Sequence, residues 1–384
     1  MGWLDSVFSS FKSEEKSRMP LGLDNWRGWE AAFARGSLNQ TYNYEQAIRD
    51  GFLSNPIAQR AVRIVAEGVG QAPMTNASNQ IGALVTATSA GQSLLETVAA
   101  HVVLHGNAYV QIIKDAAGNP IELFALRPDR ITAQLGSDGW PHAYEYSVLR
   151  GKTITPVEDE DGWPNIIHIK TLHPLDDHSG ASASAAALQA IAIHNAASAW
   201  NRSLLENAAR PSGALVYETG DGGGLTQDQF DRLKCELETA FSGAVNAGRP
   251  MLLDGGLKWQ KIAMSPADMD FATLKNAAAR EIALAYGVPP MLLGIPGDNT
   301  YSNYREANRA LWRLTLLPLA EKLFAALQEG LAGWFPDDRI SVDLDQVTAL
   351  SEDRERLWNQ VSAADFLTRA EKRELLGFAA NEAE

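Results

Sequence analysis

The stretch from Ile282 to Trp312 reads IALAYGVPPMLLGIPGDNTYSNYREANRALW, and it has the pattern of a helix that stops and later resumes. Helix-forming residues end at Tyr286, and Gly287 is the residue type that most often follows the end of a helix. The dipeptide Pro289–Pro290 cannot continue a helix, because proline lacks the backbone N–H and clashes with the preceding turn. The sequence therefore predicts that a helix ends at Tyr286.

The second half of the stretch predicts a polar loop and a new helix. Residues 294–303 are rich in glycine, proline and short polar side chains, which favours an adjustable loop. The new helix is predicted near Asn303, because Asn303 and Glu306 have the spacing of a capping box. It should run to about Gly330, with a kink at Pro318.

The helix before the break has its own start signal. Ser265 is a good N-cap residue, and Pro266 occupies the first helical position. An apolar seam at helical spacing then consists of Phe271, Leu274, Ala278 and Ile282. We expect this helix to pack along that seam.

Residues 181–210 predict a second long helix of unusual composition. Alanine dominates, and no charged residue occurs before Arg202. As a continuous helix the segment would be about 45 Å long, at about 1.5 Å per residue. A helix that is small and uncharged on all sides must be surrounded, and copies of itself are the neighbours we consider first.

A small α/β module separates these two helices. Residues 213–218 predict a strand, and Thr226 and Gln229 have the spacing of a capping box that opens a helix. Residues 250–263 predict a hairpin around Asp254, Gly255 and Gly256.

The rest of the chain mixes helices and strands. Helices are predicted at 56–70 and 92–105, strands joined by turns follow from 107, and 165–172 reads as a buried strand. A late strand is predicted at 340–347, and two helices close the chain, the last opened by Thr368 and Glu371.

Composition excludes several function classes. The chain has 384 residues, 45% of them hydrophobic, which is enough for two or three domains with real cores. Its net charge of −14 argues against tight nucleic-acid binding, although an acidic wall suits DNA that must slide without sticking.

Cys235 is the single cysteine, so no internal disulfide can form. The first residues predict an amphipathic helix rather than a signal peptide, and no apolar run reaches membrane-spanning length.

Candidate catalytic motifs are better explained as structure. The glycine-rich segment 220–226 lacks the Gly-Lys-Ser/Thr ending that a phosphate loop needs. Histidines and aspartates cluster at 168–178, but their spacing fits neither a zinc helix nor a zinc finger. We therefore expect no catalytic residue, no metal and no cofactor.

The order of parts resembles the portal proteins of tailed double-stranded-DNA bacteriophages and of related gene transfer agent particles. The resemblance covers roughly residues 50–380. The segments that carry it are HGNAYVQIIKDAAGNPIELFALRP (105–128), NIIHIKTLHPLDDHSGASASAAALQAI (165–191), ENAARPSGALVYE (206–218), SPADMDFATLKNAAAREIALAYGVPPMLLG (265–294), YSNYREA (301–307) and LTRAEKRELLGF (367–378).

The resemblance implies an α+β portal fold. Its parts would be an α/β wing, a two-helix stem, a small inserted α/β clip, a kinked long helix with a tunnel loop, and a short helical crown. The implied bounds are 1–181 for the wing, 182–210 and 266–287 for the stem, 211–265 for the clip, 288–350 for the tunnel loop, kinked helix and wing strand, and 351–384 for the crown.

The same resemblance implies a function without catalysis. Subunits would form a homo-oligomeric ring, usually of twelve, at one capsid vertex of a virion or phage-like particle assembled in the bacterial cytoplasm. Double-stranded DNA would pass through it non-specifically during packaging and ejection. The implied partners are the major capsid protein, the terminase large subunit and the head–tail adaptor, with no membrane involved.

Two sets of site residues follow from the resemblance. Those expected in the tunnel loop facing the DNA channel are Gly294, Pro296, Gly297, Asp298, Asn299, Thr300, Tyr301, Ser302 and Asn303. Those expected to contact a partner from the clip are Asp228, Asp231, Arg232 and Glu238.

Two alternatives stay open. One is another ring-forming head–tail connector, although such proteins are usually smaller and lack a module inserted between stem helices. The other is an ATP-dependent packaging enzyme, against which the missing phosphate loop argues.

Overall fold

The computed structural model describes residues 43–75, 78–89, 91–148, 151–206, 213–217, 226, 228–229, 231–233, 235, 257–261, 271–297 and 301–377. Its helices are α1 (Tyr44–Ala47), α2 (Pro56–Gly70), α3 (Asn79–Val85), α4 (Leu94–His105), α5 (Ala183–Glu206), α6 (Phe271–Ala285), α7 (Tyr301–Leu311), α8 (Leu317–Leu331), α9 (Ser351–Ala363) and α10 (Arg369–Leu375). Its strands are β1 (Met74–Thr75), β2 (Thr88–Ser89), β3 (Gln92–Ser93), β4 (Asn107–Lys114), β5 (Pro120–Leu126), β6 (Ile131–Leu135), β7 (Pro141–Val148), β8 (Gly151–Pro156), β9 (Ile166–Lys170), β10 (Gly213–Tyr217), β11 (Leu257–Lys261) and β12 (Ser341–Val342).

Local sequence signals place several of these boundaries. The Asn55 side chain accepts hydrogen bonds from the backbone N–H groups at the start of α2, where Pro56 is the first helical residue. Helix α4 begins after Ser93, whose hydroxyl caps it, and ends at Gly106 with φ of 83°. The capping box predicted at Thr368 and Glu371 is present at the start of α10.

One compact unit comprises the described residues within 43–45, 78–181 and 323–340. Its main sheet has the order β5-β4-β9 with all pairs antiparallel, and a second antiparallel sheet has the order β6-β7-β8. Helix α4 packs on β4 and β5, and the side chains of Val98, Val110, Leu123 and Ile169 are almost completely buried there. The predicted buried strand at 165–172 is therefore confirmed as β9.

The other unit comprises the described residues within 46–75, 182–322 and 341–377. Its centre is the helix pair α5 and α6, and strand β10 pairs with β11 between them in the sequence. The predicted late strand at 340–347 is wrong in length. Only Ser341–Val342 forms a strand, paired with β1, because a turn follows at Asp343.

Two further sequence predictions lie partly or wholly outside the described residues, and a third concerns the kinked helix. The hairpin predicted at 250–263 has only its second strand, β11, within the described residues. The start of α6 predicted at Ser265 also lies outside them. In the predicted kinked helix, a π-helical turn at Trp312–Leu316 comes just before Pro318, and inserted turns of this type are common where long helices bend.

Candidate functional site

The break between α6 and α7 begins with a glycine that no other residue could replace without strain. Gly287 has φ of 66°, which favours glycine, and its carbonyl accepts a 2.6 Å hydrogen bond from the Thr315 hydroxyl. A Cβ at this position would lie 2.7 Å from Thr315 Oγ1. The chain reversal after α6 is thus held by the helical segment that follows the break.

The near part of the predicted tunnel loop contacts α6. Pro290–Leu293 forms a 3-10 turn that ends at Gly294 with φ of 72°. Ile295 is only 4% exposed and packs against Ala279 and Ala283 of α6. The Arg280 guanidinium donates a hydrogen bond to the Pro296 carbonyl. These contacts fix the loop to α6 as far as Gly297.

The far part of the loop corrects the sequence prediction. Helix α7 begins at Tyr301, so Tyr301, Ser302 and Asn303 lie in its first turn rather than in the loop. The Asn303–Glu306 spacing misled the prediction because a two-residue pattern also occurs by chance inside helices. Of the other predicted residues, Gly294, Pro296 and Gly297 are exposed, and 298–300 lie outside the described residues.

The basic residues of α7 are matched by carboxylates, a feature that sequence reasoning missed. Arg305 Nη1 lies 2.7 Å from Glu352 Oε1 of α9. Arg309, whose side chain is 14% exposed, pairs with Glu306 at 3.1 Å and also with Glu352 and Asp353. Only the Glu306–Arg309 spacing could have indicated this network from sequence. Its effect is to neutralise positive charge on the helix that follows the loop.

Helix α5 buries one face and exposes the other. The buried side chains are those of Ser184, Ala187, Ala190, Ile191, His194 and Ala197, and α5 packs against α6 and against residues 48–53. The exposed face contains Ala185, Gln189, Ala192, Ala196, Ala199 and Trp200. Trp200 is 49% exposed, and Leu284 of α6 is 80% exposed. As far as the structure describes its side chains, a single chain therefore leaves one face of α5 exposed.

Buried polar groups tie α5 to the start of α2. The Asn55 amide lies 3.1 Å from Nδ1 of the buried His194 and donates a 2.9 Å hydrogen bond to Asn195 Oδ1. Burial, reinforced by Lys275, lowers the pKa of His194. The Ser184 hydroxyl lies 3.0 Å from the Tyr286 hydroxyl at the other end of the helix pair. These bonds fix the rotation of α5 about its own axis.

The residues expected to contact a partner from the clip are exposed where the structure describes them. Thr226 and Gln229 form the predicted capping bonds, with Gln229 N donating to Thr226 Oγ1 at 3.4 Å. Asp228, Asp231 and Arg232 are exposed after it, and Glu238 lies outside the described residues.

The cluster of histidines and aspartates at 168–178 is built into the fold. His168 stacks on the Tyr109 ring at 4.3 Å and lies within hydrogen-bond distance, 3.0 Å, of Asn107 Oδ1. Burial lowers the pKa of His168 to about 4. Asp176 accepts backbone hydrogen bonds from His178 and Ser179 in a turn. Within the described ranges, no group of three or more His, Cys, Asp or Glu side chains could hold a metal ion.

None of the helices that the structure describes is both long enough and apolar enough to span a lipid bilayer.

The sequence of the chain is similar to that of a known protein family. The sequence profile of the family described as "Phage portal protein" matches residues 56–377. A protein of Rickettsia felis is 38% identical over 341 residues, covering 85% of this chain and 88% of that protein. The "Probable portal protein" of Streptomyces phage phiC31 is 26% identical over 320 residues, covering 78% and 69%.

Solved structures agree with the sequence comparison. A chain from the neck of a native gene transfer agent (GTA) particle, computed with C12 symmetry, is 47% identical, with a TM-score of 0.68 and coverage of 88% of this chain and 94% of that one. A portal protein of the HK97 phage family from Corynebacterium diphtheriae is 15% identical with a TM-score of 0.53, covers 79% and 96%, and shares the fold.

Proposed function

Since the chain belongs to the phage portal protein family, we propose that it forms a closed ring, of twelve subunits, through which double-stranded DNA is packaged and ejected. The observation that carries this proposal is the family match over residues 56–377, which takes in both helices α5 and α6 and the break after them. The particle neck with C12 symmetry, 47% identical to this chain, supports the twelve-fold ring and a place at the vertex of a virion or phage-like particle.

The half-exposed helix pair supports ring formation on physical grounds. Large apolar side chains such as Trp200 and Leu284 are exposed beside a stripe of alanines. Neighbouring copies on both sides would bury these faces, as a cyclic assembly requires. The small side chains would let the helices of adjacent subunits approach closely.

The loop after α6 is proposed to face the channel. Its near part, with Gly294, Pro296 and Gly297 exposed, is anchored to α6 through Ile295. Residues 298–300, with Tyr301, Ser302 and Asn303 at the start of α7, supply hydrogen-bonding groups without positive charge. Such groups would touch a phosphate backbone weakly and release it, while the −14 net charge disfavours long-lived binding.

The clip and wing are proposed to carry the partner contacts. The exposed charges at Asp228, Asp231 and Arg232, with Glu238, would dock the terminase large subunit and later the head–tail adaptor. The major capsid protein would surround the ring at the vertex. The chain itself would catalyse no reaction and need no cofactor, since ring, channel and docking surfaces suffice for a conduit.

The experiment replaces Asn299 and Tyr301 together with lysine and measures packaged DNA length per particle. Two fixed positive charges in the channel should slow or stall DNA while rings still form. The matched control places the same two charges at Thr132 and Ser137, which are exposed on the other unit. Normal filling at a normal rate by the first variant would show that the loop does not face the channel.

A further inference from the structure

The loop that follows β9 exposes two leucines that the conduit function leaves unused. Leu172 is 84% exposed and Leu175 is 52% exposed, with Pro174 between them also exposed. Exposed apolar side chains grouped in this way commonly mark a protein contact. We refer to residues 172–175 as the leucine knob.

The leucine knob is held rigidly at its base. The Thr171 hydroxyl donates a 2.6 Å hydrogen bond to the Ala181 carbonyl, which joins the two ends of the loop. Gly180 N donates to Asn107 Oδ1 at 2.8 Å, and a Cβ at Gly180 would collide with the Gly106 carbonyl. The Lys170 ammonium donates to the Asp177 carbonyl. The leucines therefore lie on a loop that is already ordered, so little conformational entropy would be lost on binding.

The same unit has a groove lined by seven apolar residues and by the amide side chains of Gln80 and Asn119. It has a volume of about 610 Å³ and is lined by Gln80, Ala83, Leu84, Ala87, Asn119, Pro120, Ile121, Trp334 and Phe335. The indole N–H of Trp334 donates a 2.9 Å hydrogen bond to the Gly118 carbonyl. The Trp334 ring also packs edge-to-face with Trp163, with 4.3 Å between the ring centroids. Ile121, at the lip, is 59% exposed. We refer to this set as the apolar groove.

The strand register places the knob and the groove at opposite corners of one sheet. Strand β4 is central, and its first residue Asn107 pairs with Lys170, directly before the knob. Its last residue Lys114 pairs with Pro120, which lines the groove, on the opposite edge. The two corners are separated by the length of β4, about 24 Å at ~3.4 Å per residue, and by the width of the sheet.

We propose that the leucine knob of each copy inserts into the apolar groove of the next copy around the ring. A ring needs two different surfaces that face opposite neighbours, because a head-to-tail contact repeats without a two-fold axis. A rigid apolar projection and an apolar groove at opposite corners of one sheet meet that requirement. This inference rests on the proposed ring and names the surfaces that would close it.

The size of the contact favours a second copy over a free partner. Two leucines and a proline cover far less than the roughly 800 Å² per partner of a standard stable interface. Alone, the contact would be too small for a lasting complex between two separate proteins. In a ring it is repeated at every subunit and is added to the exposed faces of α5 and α6.

The test is chemical cross-linking between copies. In a Cys235→Ser background, which removes the single native cysteine, Leu172→Cys and Ile121→Cys are combined and treated with a short bismaleimide. We expect a ladder of covalent oligomers up to the size of the ring. Each single cysteine variant, and Leu172→Cys combined with Ile154→Cys on β8, should give no ladder.

Introducing a pair of opposite charges across the proposed contact gives a second, independent test. Leu172→Asp alone and Ile121→Lys alone should each raise the protein concentration at half-assembly by roughly tenfold or more. The double variant should recover most of that loss, which a misfolded protein would not do. Ile154→Asp, an equally exposed apolar site at 57%, should leave assembly unchanged.

The outcomes separate this inference from the proposed function. If the wild type forms rings, but the variant with Leu172→Cys and Ile121→Cys gives no ladder and the double charge variant shows no recovery, the knob and groove do not meet and the ring proposal stands. If groove variants impair assembly and knob variants do not, another segment fills the groove and the inference is overturned. If the wild type forms no ring, the proposed function itself fails.

Discussion

The Thr315 hydroxyl donates a 2.6 Å hydrogen bond to the carbonyl of Gly287, joining the turn that follows α6 to the π-helical turn before α8. The two residues are 28 positions apart in the sequence. The bond closes the base of the segment that includes the predicted tunnel loop. The loop would therefore be held from both sides, by α6 through Ile295 and by the later helix through Thr315.

Gly287→Ala should be more damaging than Gly294→Ala. Both glycines have positive φ, so alanine costs about 1 kcal/mol of backbone strain at either site. At Gly287 the new Cβ would also lie 2.7 Å from Thr315 Oγ1, whereas at Gly294 nothing lies within 4 Å. The crowding should add about 1–2 kcal/mol. Thermal unfolding of the two variants measures the difference, and adding Thr315→Ala should relieve part of it. Equal midpoints for the two variants would contradict this account.

Stability should fall as pH is lowered from about 6.5 toward 4. Burial, with His105 as a second cause, lowers the pKa of His101 to about 4, and burial lowers the pKa of His168 to a similar value. In the unfolded chain the imidazole pKa is about 6.5, so between these values the unfolded state binds more protons. Each histidine then contributes a slope of up to about 1.4 kcal/mol per pH unit.

The pH effect can be assigned to one residue by substitution. Urea unfolding across this pH range should show a shallower acid loss for His101→Leu than for the wild type. The change His142→Leu serves as a comparison, because His142 lies on β7 and its side chain is exposed. An unaltered slope in the His101 variant would remove buried histidine as the cause.

Charge reversal on the clip should separate docking from assembly. Asp228→Lys, Asp231→Lys and Arg232→Glu change exposed side chains, so ring formation should survive. Binding to the terminase large subunit should weaken, mainly through slower association at low salt. Reversals at Glu355 and Arg356, exposed on α9, are the matched control and should leave terminase binding intact. Unfolding of the clip variant would show that these side chains are structural.

The purified protein should hydrolyse neither ATP nor DNA. The glycine-rich segment 220–226 lacks the lysine that a phosphate loop requires. Phosphate release and plasmid nicking would be measured with and without Mg²⁺. Turnover that co-purifies with the protein and disappears on a point change within it would be decisive against this prediction.

Much of the helical frame could be predicted from the sequence because its signals are local. Alanine content and apolar spacing located α5 and α6, and the glycine and prolines after Tyr286 located the break between α6 and α7. The capping box at Thr368 was also found. The start of α7 was predicted near Asn303 and lies at Tyr301, since a two-residue capping pattern also occurs by chance inside helices.

The parts that escaped prediction depend on contacts between distant residues. Arg309 and Glu352 are 43 positions apart, and no local pattern pairs them. The exposure of Leu172 and Leu175 follows from how the loop is tied to Gly106 and Asn107, whereas the sequence indicated only a strand end rich in histidine and aspartate. Such features appear only once strand order and register are known.

The central claim is tested most directly by electron microscopy of the purified full-length protein, with particle mass measured in parallel. The account predicts closed rings with a central hole wide enough for duplex DNA and twelve-fold rotational symmetry in averaged end views. A stable monomer under all salt and protein concentrations, with no ring in any image, would contradict it.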